Sequence, residues 1–150
     1  MPKQSRRAKA NVPDRRKAIQ RAFVNLSAKQ YRQTGSEHSL QASVMEYLRF
    51  NMHPHAFVFA IPNAGKRSWQ TAAKMKAEGL TAGVADICIM RPGGRVAWLE
   101  LKIDNEKQSP EQIAFEQTCQ RLGHVYCIAR TFEDAIEILR RLGALKENAK

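Results

Sequence analysis

From Ser39 to Phe50, the apolar residues Leu40, Val44, Tyr47 and Leu48 recur at three- and four-residue intervals. That spacing predicts an amphipathic helix. His55 to Ile61 is a short apolar run that reads as a strand, and Pro62 ends it. Ser68 to Glu78 reads as a short helix, with Ser68 placed to cap it and Gly79 to close it. The periodicity then changes. Val84 to Met90 and Arg95 to Ile103 read as two strands joined through Arg91-Pro92-Gly93-Gly94, a β-hairpin pattern. Ser109-Pro110-Glu111-Gln112 opens a helix, with serine as cap and proline in the first turn, that runs to Leu122 before Gly123. His124 to Ala129 reads as another strand. Thr131, followed by Glu133 and Asp134, opens a last helix to Leu142 before Gly143. The order is that of an α/β protein.

Length and composition fit one domain. A chain of 150 residues, 43% of them hydrophobic, can build a single core and has no room for a second full domain. The apolar runs fall far short of the ~20 residues of a membrane span. The opening Met1-Pro2-Lys3-Gln4-Ser5-Arg6-Arg7 leads into no apolar secretory region, so neither a membrane segment nor a signal peptide is expected. Cys88, Cys119 and Cys127 are scattered through the expected core without metal-ligand spacing, which fits reduced thiols in a cytoplasmic protein.

Charge divides the chain. Residues 1–35 hold ten Lys or Arg and one acid, whereas residues 36–150 hold fifteen and thirteen, so +9 of the net +11 sits in the leader. This suggests a basic arm over residues 1–35, partly helical or disordered, a domain over 36–143, and a frayed tail over 144–150. Ile19, Ala22, Phe23 and Leu26 recur on one face of a potential helix within the arm. Arg6, Arg7, Arg15, Arg16 and Lys17 are placed to bind phosphates with little sequence preference. A solvated tail is the plainer reading.

The most informative chemistry lies in the hairpin. Asp86 is followed fourteen positions later by Glu100-Leu101-Lys102. Side chains alternate along a strand, so Glu100 and Lys102 share one side, and a hairpin can set Asp86 beside them. Two carboxylates and an amine suit a divalent ion such as Mg²⁺ and the water it activates. The Leu101 backbone carbonyl is a further candidate ligand, and Lys102 is placed to position or deprotonate water and offset phosphate charge. An ordinary same-face pair on a solvated edge strand is the competing reading. Against it, Trp98, Leu99, Leu101 and Ile103 make the strand apolar on both sides, as for a central strand.

The Asp…Glu-x-Lys pattern resembles the PD-(D/E)xK nuclease superfamily, and the wider string is similar to its VRR-NUC branch, especially small stand-alone phage and bacterial domains. The matching residues are Glu37-x-x-x-Gln41, Pro62-Asn63-Ala64-Gly65-Lys66-Arg67, Gly79-x-x-x-Gly83-Val84-Ala85-Asp86, Gly93-Gly94, Glu100-Leu101-Lys102 and Ser109-Pro110-x-Gln112. Ala85 departs from the pattern, standing where the family usually has proline. The resemblance implies a restriction-endonuclease-like mixed sheet flanked by helices. It also implies that Glu37 joins metal or water binding, with Glu46 as a rival. The two are nine residues apart and would point to opposite sides of a helix. Gln112 resembles the glutamine that orients the site or contacts phosphate. Asn63, Lys66 and Arg67 look like substrate-strand contacts.

The resulting expectation is an endonuclease dependent on Mg²⁺ or Mn²⁺ that hydrolyses DNA phosphodiesters, selective for branched structures such as a Holliday junction or flap, as a homodimer. Its site comprises Glu37, Asp86, Glu100, Lys102 and Gln112. Two other classes stay open: a non-catalytic DNA-binding module on a nuclease fold, and an accessory nucleic-acid-binding protein. No pair of histidines has zinc spacing, and no serine-nucleophile elbow is present.

Overall fold

The computed structural model describes residues 35–62 and 69–147. Asn63, Lys66 and Arg67 lie outside them, as do Arg6, Arg7, Arg15, Arg16, Lys17 and the Ser68 cap. The described elements run α1 (Glu37–Asn51), β1 (Phe57–Ala60), α2 (Trp69–Ala77), β2 (Ile87–Arg91), β3 (Arg95–Leu101), α3 (Pro110–Arg121), β4 (Val125–Ala129) and α4 (Phe132–Arg141). The sheet order is β1-β2-β3-β4. β1 and β3 each pair antiparallel with β2, while β3 and β4 are parallel, so the sheet is mixed and β3 is central.

Alternation along the strands divides the sheet into two faces. Val58, Ile87, Ile89, Ala97, Leu99, Leu101 and Ala129 form the core with Leu40, Val44, Tyr47 and Leu48 of α1 and Phe132, Ala135, Ile136 and Leu139 of α4. The other face carries Trp98 and Tyr126, between which Phe115 of α3 packs edge-on, with centroids 5.1 and 6.2 Å away. α3 therefore lies opposite α1 and α4. Each of these three helices starts with a reciprocal capping box: Ser36 with Ser39, Ser109 with Gln112, and Thr131 with Asp134.

The structure differs from the sequence expectation at the element ends. Val84 to Asp86 read as strand, but β2 begins only at Ile87. Gly83, at φ 79°, packs the chain before Asp86 against the start of α3, while the Asp86 carbonyl still takes the Ile61 N–H at 2.7 Å. α1 begins at Glu37, two residues earlier than its apolar periodicity suggests, because Ser36 caps it. The chain after α4 is held as far as Lys146, where a frayed tail was expected. Ala144 and Leu145 are buried, Leu145 bridges Met52, and the Lys146 N–H donates to the Asn51 carbonyl at 2.9 Å. No helix among the described residues is long and apolar enough to cross a membrane. The three cysteines are free, and Cys88 and Cys119 are buried.

Candidate active site

Ladder pairing between β2 and β3 reaches Ile87↔Leu99, which brings Asp86 level with Glu100. Because the chain before Asp86 has left the sheet, no β2 backbone group meets the Leu101 N–H. The Asp86 side chain replaces it: Oδ2 accepts from the Leu101 N–H at 2.8 Å. On the other edge, β4 pairs Leu101 with Ala129 while the Lys102 N–H donates to the Ala129 carbonyl at 3.0 Å. In a parallel ladder that alternation leaves Leu101's own N–H and C=O facing away from β4, toward Asp86. The Leu101 carbonyl thus shares an edge with the Asp86 carboxylate.

Glu100 is the anomaly of the fold. Only 1% exposed, it is one of four buried polar or charged residues among those described, with Ser43, Asn51 and Lys102. Its Oε1 accepts from Gln112 Nε2 and lies 3.3 Å from Lys102 Nζ. Its Oε2 is buried with no hydrogen-bond partner. A buried carboxylate oxygen left unsatisfied costs roughly 1–3 kcal/mol or more. Burial first, then the negative charge of Asp86, pushes the Glu100 carboxyl up to about 7, against the opposing pull of Lys102.

This predicts a pH-dependent stability. The unfolded chain releases the Glu100 proton near 4.5, whereas the folded metal-free protein holds it to about 7. The folded state binds the extra proton across that window, so stability falls as pH rises through it. Glu100→Gln removes the charge. It should therefore stabilise the metal-free protein at about pH 8 by roughly 1–3 kcal/mol relative to wild type, with little gain near pH 4. Thermal denaturation in chelator at both pH values checks this. Equal shifts at the two pH values would sink the account of Glu100.

Lys102 joins the two ends of the site. Its Nζ lies 3.1 Å from Glu37 Oε1, bridging the residue that follows β3 to the first residue of α1 across 65 positions of sequence. Burial alone would push the ammonium down, but the hydrogen bond to Glu37 and the charges of Glu37 and Glu100 outweigh it and hold Lys102 above its ordinary range. In the metal-free protein Lys102 is therefore an ammonium at neutral pH, placed to offset negative charge. Glu37 is raised by burial and by the nearby Glu106 carboxyl, against the lowering effect of Lys102. The hydrogen bonds and ion pairs that join this cluster involve Glu37 and not Glu46, which lies nine residues further along α1.

Gln112 connects the site to its scaffold. Its Oε1 accepts from the Ser109 N–H at 2.8 Å in the capping box, while its Nε2 reaches Glu100. The amide is thus held at one end by the helix start and presented to Glu100 at the other. Gly83 packs directly on this helix start: a Cβ there would lie 2.3–2.6 Å from the backbone of Glu111 and Gln112. One close backbone contact therefore ties the segment carrying Asp86 to the helix carrying Gln112.

The structure brings Glu37, Asp86, Glu100, Leu101, Lys102 and Gln112 to one end of the sheet. Sequence reasoning missed Glu106, beside Glu37, and Tyr126, whose phenol is pushed up by burial and then by the Glu100 charge. Tyr126 sits one strand from Trp98 in register and reads locally as a packing aromatic. Glu106 sits in a polar loop with no local signal.

Among the described residues, no three His, Cys, Asp or Glu side chains are arranged as a ready-made metal cage. A hard cation of the Mg²⁺ kind needs less, because it retains waters and takes one or two carboxylates. The unsatisfied Glu100 Oε2, the adjacent Asp86 charge and the Leu101 carbonyl edge fit such an ion.

No family model matches the sequence, and no curated protein matches it. Solved structures do. A VRR_NUC domain protein superposes with a TM-score of 0.55 at 19% identity, over 70% of this chain and 85% of that chain. A second, a VRR_NUC domain, gives a TM-score of 0.47 at 17% identity, over 69% of this chain and 94% of that one. The four-stranded mixed sheet with its flanking helices is the VRR_NUC fold, as the first of these superpositions shows.

Proposed function

We propose that the chain is a metal-dependent endonuclease that hydrolyses DNA phosphodiesters. The observation that carries this reading is the buried Glu100 carboxylate, with Oε2 unsatisfied, Oε1 3.3 Å from Lys102 Nζ and the Asp86 charge nearby, at the sheet end of a VRR_NUC fold. Asp86, Glu100 and the Leu101 carbonyl hold Mg²⁺ or Mn²⁺. A divalent ion bound there supplies Lewis-acid activation of water and neutralisation of phosphate charge. Lys102 remains an ammonium and offsets the charge that builds on the phosphate during in-line attack. Glu37 orients Lys102 and, as the more exposed partner, is placed to pass the water's proton to solvent. Gln112 fixes the Glu100 carboxylate.

The acidic substrate matches the charge distribution, since residues 1–35 hold a net +9. In this reading Arg6, Arg7, Arg15, Arg16, Lys17, Asn63, Lys66 and Arg67 contact the DNA backbone. One site per chain cuts two strands only as a pair, so the active form is a homodimer, acting on branched DNA in the cytoplasm.

The test is a panel of labelled DNA structures (duplex, nicked duplex, flap and four-way junction) incubated with Mg²⁺ or Mn²⁺. Wild type is expected to cut branched forms in preference to duplex, and Lys102→Ala to lose roughly 10²–10³-fold in rate. Cleavage unaffected by Lys102→Ala would refute the site. A second reading, a DNA-binding module without catalysis, draws on the lack of a three-carboxylate cage among the described residues. Tight binding of the panel with no cleavage by wild type would favour it.

A further inference from the structure

Residues 103–108 join the two halves of the site, running from Lys102 to the Ser109–Gln112 helix start. Asp104, Asn105, Glu106 and Lys107 are exposed, so apolar burial does little to fix this connection. Its backbone is nevertheless specific. Asp104 has φ 45°, the one non-glycine residue in the left-handed region among those described, and the Glu106 N–H closes a turn on the Ile103 carbonyl at 3.1 Å.

Arg130 grips that turn. Its Nη1 donates to the Asp104 carbonyl at 2.8 Å and its Nη2 to the Glu106 carbonyl at 3.0 Å. The rigid fork of the guanidinium fixes both carbonyls relative to each other. Arg130 is itself anchored on both sides. It follows Ala129, whose carbonyl takes the Lys102 N–H at 3.0 Å, and its own N–H donates to Asp134 Oδ2 of the α4 capping box at 3.3 Å. The end of β4 thus holds the Lys102 backbone through one residue and the following loop through the next. The same loop sets the Glu106 carboxyl beside Glu37.

We propose that Arg130 is a positioning residue of the site, a clamp that fixes the 103–108 turn so that Lys102, Glu106 and Gln112 keep their mutual placement. The proposal rests on the nuclease reading of that site. An exposed arginine beside a DNA-cutting centre has one obvious other use, direct contact with a phosphate, and the two uses separate in kinetics.

The experiment compares full-length wild type, Arg130→Ala and Arg130→Lys by hydrogen exchange and by steady-state cleavage of labelled DNA with Mn²⁺. In Arg130→Ala, exchange over 103–109 is expected to quicken by at least about tenfold while β2 and β3 stay protected. The kcat should fall about tenfold to a hundredfold, as for a misplaced site, with KM within about twofold. Arg130→Lys, keeping donors but losing the fork, should fall between the two. Unchanged exchange over 103–109 would overturn the clamp. So would a raised KM with weakened salt dependence and unchanged kcat, which marks a phosphate contact. Faster exchange throughout the sheet would overturn it too, as general destabilisation. If wild type cuts no DNA, the nuclease reading fails, and the exchange result alone still decides whether Arg130 fixes the turn.

Discussion

Glu100→Gln should abolish metal-dependent cleavage, by at least ~10³-fold, in a protein that is more stable than wild type above neutral pH. The substitution is nearly isosteric. It keeps an oxygen to accept from Gln112 and leaves Lys102 paired with Glu37. What it removes is the negative charge that burial and Asp86 oppose. A structural glutamate would lose stability on such a change. A carboxylate kept in the core for a cation should instead trade stability for activity. Assaying one preparation for both cleavage and metal-free melting checks the opposite signs directly. Retained cleavage, or a fall in both quantities, contradicts the account.

Gly83→Ala should be the most damaging substitution outside the ionisable cluster. At φ 79° an alanine costs on the order of 1 kcal/mol in backbone strain. Its Cβ would also lie 2.3 Å from the Glu111 carbonyl carbon, and the obstacle is backbone rather than a side chain that can swing away. Overpacking of this kind adds typically ~1–3 kcal/mol. The combined loss of roughly 2–4 kcal/mol corresponds to a fall of roughly 10 °C in melting temperature. Activity should fall further than stability, by about a hundredfold or more at temperatures where the variant is folded, because the forced shift separates Asp86 from Gln112. Circular dichroism melting together with cleavage well below the midpoint checks both. Normal cleavage by a folded Gly83→Ala would mean that this contact does not set the site.

Much of this site is legible in local sequence, for physical reasons. A three-residue turn with Gly93 and Gly94 at positive φ fixes the hairpin register, and strand alternation then places Glu100 and Lys102 on one side with Asp86 level. Ser109-Pro110-Glu111-Gln112 is legible as a helix start because its capping box is closed within four residues. What escaped is long-range. Val84 to Asp86 has the composition of a strand, yet Gly83 is drawn onto a helix start nearly thirty residues later in the chain. The Lys102–Glu37 bridge spans 65 positions and the Arg130 grip on Asp104 spans 26, and neither leaves a periodic trace. Glu37 itself came from the family resemblance. The local cue that fixes its place, Ser36 as the cap of α1, is visible only once Ser39 is seen to answer it.

The central claim is that Asp86 and Glu100 hold a divalent cation. Titration calorimetry of Mn²⁺ into the full chain at about pH 8 tests it, comparing wild type with Asp86→Asn. The variant keeps an acceptor for the Leu101 N–H while removing the charge. Saturable binding by wild type that Asp86→Asn abolishes is the predicted result; equal binding by both, or none by wild type, would contradict it.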